Sequence, residues 1–238
     1  MKHDYITLNT QPDTRIEIGK RNAYHQAGQA AAIYLGNRQK QLPAVHFQIV
    51  IKPQALDGQQ ADRFAGIYSK YTVNVEGGRL VQSLPLSFTE ATQDFSWYHQ
   101  AEYRRAFEAD IMNLLAGSLA EAKYVALRDG EAFSANLVNL GALHFYGGSS
   151  DLEVISEYME CFIHDRVERD QKLGELFLAA FRFVNKPSNW LAICALAEFI
   201  RTKRKGTINC EEVISLLDLS VTPHKVDPIA LQTMEMRG

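Results

Sequence analysis

Residues 19–37 read GKRNAYHQAGQAAAIYLGN, a stretch rich in alanine. Alanine has the highest helix propensity of the amino acids, so the stretch is predicted to be one helix that ends at Gly36-Asn37. Before it, Thr14 and Glu17 have the spacing of a capping box, in which a hydroxyl and a carboxylate satisfy two backbone amide donors. The chain is therefore predicted to open with a helix that begins near Thr14.

Two segments after this helix have the pattern of β-strands. In Ala44–Lys52 (AVHFQIVIK) every second residue is apolar, which is typical of a strand with one buried face. These apolar residues are Val45, Phe47, Ile49 and Ile51. Residues 71–84 (YTVNVEGGRLVQSL) form the second segment, and Gly77-Gly78 can supply the positive φ angles of a tight hairpin. We therefore predict a small β part near the N-terminus.

From Ser96 onward the hydrophobic pattern is helical. A first long helix is predicted to end at Gly130, and its apolar residues fit one face. These residues are Phe107, Ile111, Leu114, Leu115 and Leu119. Further helices are predicted over 137–145 up to Gly147-Gly148, from a Ser150/Glu153 capping box to about Glu168, over 172–184, over 188–204 after Pro187, and after an Asn209 cap.

This order of elements predicts a mainly α-helical α+β fold, with the small β part packed on a helical body. No linker, repeat or shift of composition divides the sequence, so residues 1–238 are predicted to form a single domain. Residues 223–238, after the last predicted helix, are expected to be a loose tail.

Composition excludes several classes of protein. The 25 Lys and Arg against 28 Asp and Glu give a net charge of −3, which argues against nucleic acid as a partner. No apolar run approaches the ~18 residues of a membrane span, and the N-terminus lacks the apolar stretch of a signal peptide. The widely spaced Cys161, Cys194 and Cys210 are predicted to be reduced thiols. These features predict a soluble protein of the cytoplasm.

The predicted first helix contains the only candidate motif for chemistry, His25-Gln26-Ala27-Gly28-Gln29. Residues four apart lie on one helix face, so His25 and Gln29 point the same way. In an HExxH motif this spacing presents two imidazoles to zinc, and the intervening Glu is the general base. Here Gln29 stands at the second ligand position and Gln26 stands at the base position.

The motif resembles a degenerate HEAGH sequence, the zinc site of the FtsH-type ATP-dependent metallopeptidases. Three further segments resemble the protease domain of that family, in the same order along the chain. They are Leu115–Glu121 (LAGSLAE), similar to its LAGRxAE helix, Gly148–Leu152 (GSSDL), similar to its GxxxDL turn, and the Asn189-Trp190 helix with the EEVISLL segment, similar to its closing helices. The resemblance spans roughly residues 15–217, and it includes neither the ATPase motif nor a membrane anchor of the family.

The resemblance implies that His25 and Asp151 are retained zinc-ligand positions, that Gln29 is a lost ligand and that Gln26 is a vestigial general base. A primary amide has essentially no basicity near neutral pH, and losing a general base costs typically 10²–10⁴-fold in rate. An amide oxygen is also a poor zinc ligand beside imidazole. We therefore expect no cofactor. A substitute ligand would have to come from another histidine, with His144 the first candidate because of its short loop to Asp151, and His46 and His164 the others.

The individual residues also have purely structural interpretations. On this interpretation the helix dipole favours Asp151 in the first turn of a helix, and His25 is a half-buried, hydrogen-bonded remnant of the motif. Gln26 and Gln29 then belong to a neutral hydrogen-bonded network. Glu121 is expected to be solvated or capping. Gly28 either permits close helix packing or is a relic of the motif.

Three hypotheses for function follow. The first is a catalytically inactive relative of the FtsH-type protease domain that binds a polypeptide or a protease partner. The second is a metal-dependent peptidase with a zinc site rebuilt from His25, Asp151 and another histidine. The third is a helical interaction protein. An exposed sheet edge at Val45–Ile51 would favour peptide capture, and oligomerisation is expected by family analogy alone.

Overall fold

The computed structural model describes residues 18–53, 71–203 and 206–221. Its elements are helices and three short strands. They are α1 (Lys20–Ala31), α2 (Asn37–Gln39), β1 (Phe47–Pro53), β2 (Tyr71–Gly77), α3 (Phe88–Ala91), α4 (Trp97–Asp129), α5 (Ser149–Phe162), α6 (Arg166–Asn185), α7 (Pro187–Thr202), β3 (Gly206–Ile208) and α8 (Cys210–Val221). The prediction of a mainly helical α+β fold is confirmed.

The alanine-rich stretch is helical throughout, as predicted. A turn of π-helix, Ala32–Gly36, joins α1 to α2, so the helix continues through Gly36-Asn37 to Gln39. The predicted end at Gly36-Asn37 was therefore short, because both residues keep helical φ and ψ angles. The Thr14/Glu17 capping box lies outside the described residues, as does the tail over 223–238.

The three strands form one antiparallel sheet in the order β2-β1-β3. Phe47, Ile49 and Ile51 are buried, which confirms the predicted apolar face of β1. β1 pairs with β2 from Phe47 opposite Gly77 to Pro53 opposite Tyr71. Because β3 pairs with its other side, β1 is the central strand and not the exposed sheet edge that would favour peptide capture.

The hairpin predicted at Gly77-Gly78 is also wrong. Both glycines do have positive φ angles, of 83° and 80°, but they end β2 instead of turning into a second strand. Asp110 explains the difference, because its carboxylate accepts hydrogen bonds from the backbone N–H groups of Leu80 and Val81, both at 2.9 Å. Those amides are thereby bound to α4 instead of to a strand.

The long helix α4 is the centre of the helical body and packs against α1, α5 and α6. Its ends were predicted correctly, since the Ser96 side chain caps the first turn and Gly130 ends the helix in the left-handed conformation. The last two helices follow the prediction, with Pro187 at the start of α7 and Asn209 as the cap of α8, where Glu212 completes a capping box. The helix predicted over 172–184 is longer, because the Asp165 cap starts α6 at Arg166.

Two predicted boundaries near α5 are wrong. The helix predicted over 137–145 is a 3-10 helix over Leu140–Phe145, and α5 begins at Ser149 with Gly148 as its N-cap, so Ser150 lies inside the first turn. The helix does not reach Glu168, because the extended backbone of Ile163 ends it and the Asp165 side chain caps α6. No helix of the described residues is both long and apolar enough to cross a membrane.

Candidate functional site

All five residues predicted for the site line a single cavity. It has a volume of about 1070 Å³ and lies between α1, β2, α4, the 3-10 helix and the first turn of α5. The five residues are His25, Gln26, Gln29, His144 and Asp151. The folded chain therefore brings together side chains that lie up to 126 positions apart in the sequence.

Four charged side chains form a connected group in the wall of this cavity, which we call the His25 cluster: Arg21, His25, Glu121 and Asp151. His25 Nε2 lies 2.9 Å from Asp151 Oδ2, and His25 Nδ1 lies 3.3 Å from Glu121 Oε2. Arg21 Nε donates to Glu121 Oε1 at 2.7 Å. The cluster thus joins α1 to both α4 and α5.

The surroundings of His25 determine its protonation. Nδ1 faces two acceptors, the Glu121 carboxylate and the Tyr146 carbonyl oxygen at 3.2 Å, so it carries a proton. Nε2 faces the Asp151 carboxylate. Burial of the ring opposes the charged form, but the hydrogen bonds and charges of Asp151 and Glu121 outweigh it and raise the pKa of His25 to about 10. At neutral pH the ring is an imidazolium with a proton on each nitrogen.

Gln26 binds the backbone of the sheet. Its Oε1 accepts a hydrogen bond of 2.7 Å from the backbone N–H of Val75 in β2, which is the edge strand beside α1 in the described sheet. Gln26 therefore pairs with nearby backbone, as its structural interpretation predicts, beside a site that keeps the charged side chains of the His25 cluster. A glutamate at this position could accept the same hydrogen bond, so the contact does not require the amide.

The other predicted residues have different roles in the cavity. Gln29 is half-buried in its wall. His144 is exposed at the rim, with its ring 3.7 Å from that of Phe145 and its Nδ1 in contact with the Gly141 carbonyl oxygen. His46 lines a smaller neighbouring cavity of about 380 Å³, and His164 Nε2 lies 3.3 Å from Ser87 Oγ, so neither lines the main cavity.

Two glycines allow α1 and α4 to approach closely at the site. A Cβ atom on Gly28 would lie 2.6 Å from the Ala116 carbonyl oxygen, which shows that this glycine permits close packing. A Cβ atom on Gly117 would lie 2.8 Å from His25 Nε2. The glycine of the LAGSLAE segment therefore leaves the space that the His25 ring occupies.

Sequence reasoning was wrong about Glu121 and missed Arg21. Glu121 is not solvated: it is 4% exposed and paired with both Arg21 and His25. His25 is likewise fully buried, at 5% exposed, instead of half-buried. A signal for these contacts exists in the sequence, because Arg21 lies four residues before His25 and Glu121 lies four residues after Gly117.

The residues of the site do not fit a zinc ion. Zinc is held by at least three protein side chains, whereas His25 and Asp151 are the two positions of the resembled ligand set that keep a zinc-binding side chain. Gln26 is bonded to β2, and Gln29 offers only a neutral amide. Over residues 18–53, 71–203 and 206–221, no group of three or more His, Cys, Asp or Glu side chains is arranged to hold a metal.

We compared the chain with family models, with curated proteins and with solved structures. No family model matches it, and neither a curated protein nor a solved structure matches it. The interpretation of the site therefore depends on the geometry of its residues.

Proposed function

We propose that this protein is a catalytically inactive relative of the FtsH-type protease domain that binds a polypeptide segment in the cavity beside the His25 cluster. The observation that carries the proposal is the convergence of His25, Gln26, Gln29 and Asp151 on one cavity. These residues come from two of the segments in which the sequence resembles that family.

The lining of the cavity supports a polypeptide as the ligand. Four primary amides contribute to it, those of Asn22, Gln26, Gln29 and Asn74. Primary amides both donate and accept hydrogen bonds, which matches the alternating donors and acceptors of a peptide backbone.

The same residues argue against hydrolysis. Gln26 cannot take a proton from water, and Gln29 offers only a neutral amide where the second imidazole of the motif would stand. A site rebuilt around His144 would still have no general base at position 26, which makes the metallopeptidase the less favoured hypothesis. We expect casein to stay intact with the protein, with or without added zinc.

Binding is tested by fluorescence anisotropy with fluorescein-labelled, reduced and carboxymethylated α-lactalbumin, a permanently unfolded polypeptide. Ser150 lines the cavity at its exposed rim, so Ser150→Trp should fill the mouth and weaken binding about tenfold or more. Ser149 is equally exposed in the same helical turn but does not line the cavity, so Ser149→Trp is the matched control. The proposal fails if the wild type does not bind, or if the two variants bind alike.

The resemblance itself is tested by rebuilding the motif. Gln26→Glu together with Gln29→His restores a general base and a second imidazole on the same helix face as His25. The double variant should bind about one zinc per chain, measured by elemental mass spectrometry after dialysis, because ligand identity and spacing would then suit the metal. A folded double variant that binds no zinc would show that the motif has been placed wrongly.

A further inference from the structure

We propose that the His25 ring takes the place of a metal ion in this site, holding α1 to α4 and α5 through its two nitrogen atoms. The inference rests on the placement of the motif proposed above, and it does not depend on whether the cavity binds a polypeptide.

The first support is the direction of each contact. Nε2 of His25 points to Asp151 in the first turn of α5, and Nδ1 points to Glu121 in α4 and to the Tyr146 carbonyl oxygen. A metal ion in such a site would likewise contact the histidine and the aspartate from between them. Here the two side chains contact each other directly, at 2.9 Å.

The second support is that both buried carboxylates have partners from the protein itself. The side chains of His25 and Glu121 are only 6% and 5% exposed, and that of Asp151 is 17% exposed. A buried carboxylate is costly unless it is paired or hydrogen-bonded. Arg21 Nε donates to Glu121 Oε1, and the two His25 nitrogens lie 3.3 Å from Glu121 Oε2 and 2.9 Å from Asp151 Oδ2, so within the described residues each carboxylate has a partner that is not a metal.

The third support is that the cluster also fixes the loop between the 3-10 helix and α5. Arg21 donates to the carbonyl oxygen of Phe145, and His25 contacts that of Tyr146. A Cβ atom on Gly147 would lie 2.9 Å from Glu121 Oε2, so the loop is packed directly on the cluster. One buried group thus sets the positions of two helices and of the loop that borders the cavity.

The first experiment measures whether the full-length protein needs a metal. Protein dialysed against a chelator and protein supplied with zinc should unfold at the same temperature, within about 1 °C, because a ligand that does not bind the folded state cannot stabilise it. Elemental mass spectrometry should find far less than one zinc per chain. Stoichiometric zinc, or a rise of several degrees on adding it, would overturn the inference.

The second experiment is a double-mutant cycle on His25→Gln and Asp151→Asn, read as the midpoint of thermal unfolding. Each single variant takes one hydrogen-bonding partner from a buried polar side chain and should lower the midpoint by on the order of 10 °C. The double variant should lose clearly less than the sum of the two, because the residues act as a pair.

The control for the cycle is Asp129→Asn, which breaks an exposed ion pair with Arg128 on the same long helix. Exposed pairs contribute little, so its midpoint should move by no more than about 2 °C. Additive effects of the two cluster variants, or an Asp151→Asn variant as stable as this control, would overturn the inference. If His25→Gln fails to fold, Asp151→Asn against Asp129→Asn and the zinc measurement still decide it. These readouts involve no polypeptide, so they fail separately from the proposed function.

Discussion

His25 in α1 and Lys123 in α4 are two buried basic side chains, and their surroundings differ in one respect. His25 contacts two carboxylates, of Asp151 and Glu121. Lys123 donates to the Asn185 side chain at 2.9 Å and to the Val184 carbonyl oxygen at 3.3 Å, and its Nζ lies 4.6 Å from the Trp190 ring centre. Within the described chain, no carboxylate forms an ion pair with Lys123.

The pKa values of the two side chains therefore shift in opposite directions. Burial lowers the pKa of the Lys123 amine, since neutral dipoles and aromatic rings do not replace all of the lost water. Burial also opposes the charge on His25, but the two carboxylates outweigh the effect of burial and raise the pKa of His25 to about 10. A buried cation close to α4 is thus stabilised by paired negative charge, and the presence of polar partners alone is not enough.

The largest expected effect is a loss of stability at alkaline pH that comes from His25. Because its pKa is raised in the folded state, its contribution is fully present below the unfolded pKa of about 6.5 and is lost as the pH rises through about 10. The wild type should therefore lose on the order of 5 kcal/mol of unfolding free energy as the pH rises from below 6.5 to above 10. Urea unfolding at a series of pH values measures it.

Other groups also titrate in that window, so the informative quantity is the difference between the wild type and His25→Gln. The difference should shrink steadily as the pH rises, because the wild type alone loses the imidazolium. A difference that stays constant between about pH 7 and pH 10 would mean that His25 is not charged in the folded protein.

A smaller effect is expected from closing the space beside the His25 ring. Gly117→Ala would place a Cβ atom 2.8 Å from His25 Nε2 and 3.2 Å from the His25 carbonyl oxygen, so ring and helix must move. The expected loss is about 1–3 kcal/mol of unfolding free energy, although alanine favours a helix. Urea unfolding at neutral pH measures it.

The matched control is Gly174→Ala in the interior of α6, where a Cβ atom meets nothing within 4 Å. There the higher helix propensity of alanine should raise stability by about 0.5–1 kcal/mol. The two substitutions are chemically identical and should have opposite signs. A Gly117→Ala variant that is more stable than the wild type, like Gly174→Ala, would show that the His25 ring does not depend on Gly117.

The sequence predicted the elements of this fold better than their pairing. Local signals determine helix ends, so Ser96, Gly130 and the Asn209/Glu212 box were predicted correctly. The hairpin at Gly77-Gly78 failed because Asp110, more than thirty residues away, binds the backbone after it. Positive φ angles indicate that the chain turns, but they do not identify its next partner.

At the site, too, local positions were predicted better than tertiary contacts. Spacing four residues apart predicted that His25 and Gln29 share a helix face, and the resemblance of the GSSDL segment added Asp151. All three line one cavity, together with Gln26. The role of Glu121 was not predictable from its own helix, because it depends on Arg21 and on the loss of water at the α1–α4 contact. Burial and charge partners are properties of the tertiary structure.

The smallest expected effect is that of removing the other cation. Lys123→Met deletes a charge that burial disfavours and keeps most of the apolar stem against Trp190, so the unfolding free energy should change by no more than about 1 kcal/mol near pH 7. Because the pKa of Lys123 is lowered in the folded state, any contribution to pH dependence has the sign opposite to that of His25. The unfolding free energy of the wild type should therefore rise relative to that of Lys123→Met as the pH rises toward the ordinary lysine pKa of about 10.4. A loss above about 3 kcal/mol, as large as that expected for His25→Gln, would contradict this reasoning: the two acceptors from Asn185 and Val184 would then hold a buried ammonium as firmly as two carboxylates hold an imidazolium.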